Sequence, residues 1–160
     1  MRRAPACAHR FAQRLVGAAF AATMTLAPAT RAVERPESGS VEQNFLLFCA
    51  GCHGPDGAGV PGRVPPLRGS LSRLLGVAGG REFLLRVPGV ANSALSDDAL
   101  AAVMNWCVRR FADEQVAARQ SAYTAAELAA ARREPLLAMR RTRRELLARA
   151  GVAEPAAADY

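Results

Sequence analysis

Cys49-Ala-Gly-Cys52-His53 is the place in the chain where residue types and spacing specify a chemistry. Two thiols three positions apart, followed at once by an imidazole, are the attachment pattern of a c-type haem. Each thiol adds across one vinyl group of the porphyrin to form a thioether. The next residue, His53, then lies beneath the iron and supplies its proximal nitrogen. Iron held this way exchanges electrons or binds small ligands, and the opposite axial position decides between the two.

Two other chemistries use a Cys-x-x-Cys pair. A redox dithiol belongs beside a βαβ pattern, and no strand-rich stretch flanks Cys49. A tetrahedral zinc site needs four protein ligands. The other candidates for those are Cys7, His9 and Cys107, the first two in an N-terminal segment with the marks of an export signal. Haem attachment is the reading that remains, with one covalently bound haem c as the expected cofactor.

Around this motif the chain reads as helices and loops. Ser40-Val41-Glu42-Gln43 forms a capping box that predicts a helix over about Val41–Ala50, delivering both thiols at its end. Residues 54–62 are too rich in Gly and Pro for helix or strand and suit a loop wrapped close around a flat cofactor; Pro65-Pro66-Leu67-Arg68-Gly69 continues it. Two short helical stretches follow, Ser70–Ala78 and Arg81–Val87, the second ended by Pro88-Gly89. Ser96 caps a clearer helix, with Asp97 and Asp98 at its positive end and Arg109 and Arg110 at its negative end. Its apolar face carries Leu100, Val103, Met104, Cys107, Val108 and Phe111. Beyond it, Thr124-Ala125-Ala126-Glu127 is a second capping box. Pro135 should break that helix, and Leu136–Ala150 should form another, stopped at Gly151. The Arg-rich face of residues 132–149 is expected in solvent, with the Leu stripe lying on the preceding domain or on a partner.

The N-terminus reads as a targeting segment and corrects the charge. Arg2, Arg3, Arg10 and Arg14 precede an uncharged, Ala-rich apolar run from Leu15 to Ala29, with small residues suited to cleavage after Ala29 or Ala32. Residues 1–32 are thus expected to be a signal peptide, and an uncleaved segment would act as a membrane tether. The predicted division is 1–32 signal, 33–39 linker, 40–112 haem domain and 113–160 a helical Arg/Ala-rich extension. The whole-chain charge of +7 invites a nucleic-acid partner. Five of the arginines lie in 1–32, where there is no acid, so seven minus five leaves about +2 after processing. No nucleic-acid role is expected. Removal of the segment also leaves Cys107 without a partner for a disulfide. It is expected to be a small buried hydrophobe.

Residues 40–112 resemble the class I c-type cytochromes, small all-α periplasmic electron carriers. Four matches carry the resemblance: Cys49-x-x-Cys52-His53; the loop Gly54-x-Asp56-Gly57-x-Gly59 leading to Pro66-Leu67-x-Gly69; Phe45, four residues before Cys49; and Leu100-x-x-Val103-x-x-Trp106 on the last helix of the domain. The resemblance implies a domain of three to five helices around the haem, with the C-terminal helices added. It implies that a carbonyl at Pro65 or Pro66 accepts a hydrogen bond from His53, which fixes the ring and tunes its basicity. It implies that Val103 and Trp106 pack across the first helix near Phe45.

The chain departs from the family in one respect. The second axial ligand there is a Met in the loop before the final helix, and here that loop, about Arg86–Ser96, contains neither Met nor His. Once His9 is removed with the signal, His53 is the sole histidine, which excludes two histidine ligands from one chain. Met104 is a candidate distal ligand, although a Met inside a helix more often fills the core. Met139 in the extension is another, and Asn92 a weak third. An open or weakly ligated iron is slightly favoured by these residues. Arg68, Arg81, Arg109 and Arg110 are candidates for the haem propionates, although solvated helix ends are the simpler reading of each.

The function implied is a periplasmic monohaem electron carrier, not an enzyme, working between partners such as a dehydrogenase or oxidase and a respiratory chain. A ligand-binding or sensory haem protein, and an accessory haem subunit docked through 113–160, are the alternatives. Peroxide chemistry is disfavoured, since the loop offers Arg86 but no His as acid or base.

Overall fold

The computed structural model describes residues 39–134 and 136–152. The expected signal peptide, residues 33–38 of the expected linker, Pro135 and the chain beyond Val152 lie outside the described residues. Among those described there are nine helices: α1 Val41–Phe48, α2 Ala50–His53, α3 Ser70–Leu75, α4 Gly80–Arg86, α5 Pro88–Ala91, α6 Asp97–Phe111, α7 Glu114–Ala117, α8 Ala125–Arg132 and α9 Met139–Arg149. One isolated antiparallel bridge joins Val60 and Val64. The class is all-α, as the sequence leads one to expect, and none of the described helices is long and apolar enough to cross a membrane.

The helix starts are set by local chemistry. Ser40 accepts from the Gln43 amide at 3.2 Å while Gln43 accepts from the Ser40 amide at 2.8 Å, so both halves of the capping box close. Thr124 and Glu127 repeat the arrangement at α8. Ser96 caps α6 through the Ala99 amide at 3.2 Å. At the far end, Gly151 and Val152 donate back to the carbonyls of Ala148 and Leu147 at 3.1 and 3.0 Å. This Schellman closure ends α9 at the glycine expected to stop it.

Three boundaries differ from expectation. The first helix is interrupted at Cys49, which ends α1 and begins the single turn α2. Pro88 does end α4, but it also opens α5, because a proline at the first helical position gives up an amide that has no partner there anyway. The last helix begins at Met139 rather than Leu136, and residues 137–138 form a turn before it.

The core is continuous from α1 to α9. Its fully enclosed side chains are Phe45, Leu95, Leu100, Val103, Leu128 and Leu147, drawn from both the predicted haem domain and the residues after 112. Helix α6 is the spine, packed against α1 on one side and α8 on the other. Phe45, Trp106 and Phe111 form an aromatic trio with centroid separations of 4.9, 5.5 and 5.6 Å, so Phe45 and Trp106 do meet across α1 and α6. Helices α3 and α4 approach so closely that any Cβ on Gly80 would collide with the Leu74 carbonyl.

The helices after α6 are latched by arginines. Arg81 of α4 bonds Glu127 at 2.8 Å and the carbonyls of Ser121 and Ala122, and stacks 3.9 Å from the Tyr123 ring centre. Arg86 donates to the Glu134 carbonyl at 2.7 Å. Arg132 bonds Asp97 at 2.8 Å and the carbonyls of Ser93 and Leu95. Asn105 and Tyr123 exchange two further bonds, at 3.0 and 2.7 Å.

Candidate functional site

The backbone around the motif is built so that three side chains open onto one cavity. Cys49 closes α1 through its amide to the Phe45 carbonyl at 2.9 Å, and its own carbonyl then accepts from Cys52 and His53 at 3.2 and 3.0 Å. That tight turn presents Cys49, Cys52 and His53 together. Gly54, with a φ of 73°, turns the chain away.

The loop that follows returns to hold the imidazole. His53 Nδ1 stands 3.2 Å from the Pro65 carbonyl oxygen. A carbonyl only accepts, so Nδ1 carries the proton and Nε2 keeps its lone pair free for a metal. Of the two prolines expected to compete for this contact, Pro65 makes it, and Pro66 lines the cavity. Gly59 explains why the loop fits. Its φ is 71°, its amide bonds the His53 carbonyl at 2.7 Å, and a Cβ there would strike the Val64 carbonyl and stand 2.8 Å from that of Pro65. Only glycine lets the acceptor of the His53 bond lie where it does.

Electrostatics favours neutral forms. Burial lowers the pKa of His53, opposed by the bond to Pro65, so the ring is neutral at neutral pH. Burial pushes the Cys49 thiol up to about 11 and Cys107 up to about 12, each with a smaller push from a neighbouring cysteine. Cys107 is buried on α6 beside Cys49, the place expected of a small hydrophobe.

The cavity has a volume of about 350 Å³, within the range of cofactor pockets. Its walls are mostly apolar: Phe48 from α1, Leu71 and Leu74 from α3, Phe83 and Leu84 from α4, Val87 and Val90 around α5, and Leu100, Val103, Met104 and Val108 from α6. A flat apolar ring with two reactive edges fits such a slot, with paired thiols at one rim and an imidazole whose lone pair is free. Among the described residues no cluster of three or more His, Cys, Asp or Glu side chains could hold a metal ion.

Comparison with known proteins agrees. No family model matches the chain, and no solved structure matches it. Two curated relatives do, both called cytochrome c-552 and both from Thermus thermophilus, the second from a designated strain of that species. Each is 34% identical over 98 residues, a region spanning 50% of this chain and 75% of the first relative and 66% of the second. The chain belongs to the class I c-type cytochromes. As a member of that family the cytochrome carries covalently bound haem c and acts as an electron carrier rather than an enzyme.

Several residues singled out in the sequence fall elsewhere. Asn92 is exposed and does not line the cavity. Arg81 is taken up by Glu127 and the 121–122 carbonyls, Arg68 donates to the Asp56 carbonyl at 2.7 Å, and Arg109 and Arg110 are exposed. None of these four lines the cavity; Arg63 and Arg143 do. Arg143 lies in the face expected to be solvated, yet it is 4% exposed. Met139, one turn earlier, lines the same cavity. A face of Met139, Arg143, Leu146 and Leu147 has helical spacing and was legible as an inward stripe, but a charged residue at its centre masks it.

Proposed function

We propose that this cytochrome is an exported, periplasmic monohaem carrier in which Cys49 and Cys52 form the thioethers and His53 is the proximal ligand. Residues 1–32 would be the export signal, 33–39 a linker, 40–112 the haem domain and 113–160 its extension. The observation that carries the reading is that Cys49, Cys52 and His53 open onto one apolar cavity while His53 Nδ1 bonds the Pro65 carbonyl.

Haem supplies a one-electron ferrous–ferric couple. The residues of the chain do the rest. Pro65 holds the imidazole in one tautomer and raises its basicity through Nδ1. The apolar walls exclude water and lower the local dielectric, which disfavours extra charge in the cavity. Cys52 is exposed, so the attachment rim reaches the surface, where a partner such as a periplasmic dehydrogenase or oxidase can dock for brief exchange.

The test is covalent loading. After expression with the attachment machinery and extraction of free haem, Cys49→Ser and Cys52→Ser should each lose most thioether-linked haem, and the double variant all of it. Covalent haem retained in the double variant would overturn the assignment. Recovery of the wild-type protein in the cytoplasmic rather than the periplasmic fraction would overturn the location.

A further inference from the structure

We propose that Met139, in the first turn of α9, is the second axial ligand of the iron. The inference rests on haem being seated by His53 as proposed above.

Iron in a porphyrin has two axial positions, and His53 takes one. The loop between α5 and α6, residues 92–96, has neither Met nor His, and Arg132 ties it down through Ser93, Leu95 and Asp97. The ligand must therefore come from another wall of the cavity or from solvent. Beyond the attachment motif, three sulfur side chains line it: Met104, Cys107 and Met139.

Position separates them. Cys107 sits beside Cys49, at the edge where the thioethers form. Met104 is 7% exposed in the middle of α6, a helix clamped by α1 on one side and α8 on the other and pinned by the two Asn105–Tyr123 bonds. Its side chain borders the cavity from within the packed core of that helix.

Met139 differs on each count. It is half-buried and begins its helix, after a turn at residues 137–138 and with no side-chain cap at Ala138. Helix α9 packs against α3 and α4, whereas the His53 rim is made by α2 and the loop to Pro65. The helix is firmly seated, for Leu146 and Leu147 are 3% and 1% exposed, and Arg143 at 4% turns to the same cavity. A thioether is neutral, so entering apolar walls costs it little desolvation. It is also a soft ligand on a flexible stem, suited to haem iron and known to raise its potential. The open iron slightly favoured by the sequence reflected the empty loop. The structure brings the Met139 thioether to the cavity from the last helix of the described chain.

The experiment uses the full haem-loaded chain, with Met139→Leu and Met104→Leu, both close in volume to the original. Covalent haem is quantified in each by the pyridine haemochrome, and helicity by circular dichroism. The wild type and Met104→Leu should show the Met–iron charge-transfer band when oxidised and resist carbon monoxide when reduced. Met139→Leu should lose the band, bind carbon monoxide rapidly and fall in reduction potential, with haem content and helicity kept. A band that survives in Met139→Leu, a band lost in Met104→Leu instead, or a fully loaded wild type that lacks the band and binds carbon monoxide freely would each overturn the assignment. A wild type without covalent haem would overturn the haem-seating reading, and this one with it.

Discussion

On the His53 side of the cavity the hydrogen bonds that shape the rim join residues close in sequence, from the Cys49–His53 turn to the bond between His53 and Pro65 twelve positions on. On the α9 side, Met139 and Arg143 share walls with Phe83, Leu84 and Val87 from a distant part of the chain. The backbone of the first rim is shaped by short-range bonds through its glycines and prolines. The second exists only while α8 and α9 stay packed on α3, α4 and α6. This difference separates two kinds of failure, loss of the cofactor's attachment and loss of the wall that closes over it.

Breaking the α9 side at its anchor should have the larger effect. Leu147→Ala leaves a cavity where the side chain is 1% exposed, and should cost about 2–5 kcal/mol in denaturant unfolding. Covalent haem should persist, since the attachment rim does not use Leu147. A comparable loss of thioether-linked haem would show that the two rims are not independent.

Gly59→Ala tests the other side. The left-handed backbone alone costs about 1–2 kcal/mol, and the new Cβ must push the Pro65 carbonyl away. The expected signature is a shift in reduction potential and in proximal-ligand vibrations, because the bond to Nδ1 lengthens. An unchanged potential would mean that the Pro65 contact does not tune His53.

The smallest effect concerns the latch between α4 and α8. Burial would raise the pKa of Glu127, but bonds from Arg81 and Thr124 outweigh it and hold the carboxyl below its ordinary 4.5. A depressed folded-state pKa gives a contribution that is complete above 4.5 and lost as pH falls through the lower folded value. Glu127→Gln should therefore cost up to about 1 kcal/mol at neutral pH, as a partly exposed pair. It should also flatten the stability profile in acid. A variant whose acid profile matches the wild type would remove the latch from the account.

Much of this molecule was legible from short stretches. Ser40, Ser96 and Thr124 mark helix starts because a cap acts on amides two or three residues away. Phe45 and Trp106 were readable as a helix–helix contact through the family resemblance. The short turn α7 and the restart at Pro88 were missed, since a four-residue helix leaves almost no periodic signal. The arginines misled in a different way. Arg81, Arg132 and Arg143 look alike in sequence, and only packing makes one a latch, one a brace for the 93–97 loop and one a cavity wall.

The sequence by itself pointed to the cofactor of this cytochrome, its all-α class and the capped starts of α1, α6 and α8, because motif spacing and caps act within a few residues. Tertiary structure decided which side chains close the cavity opposite the motif's own loop. That choice depends on burying Leu128, Leu146 and Leu147 against helices far away in the chain. No local pattern records which distant surface a helix will cover.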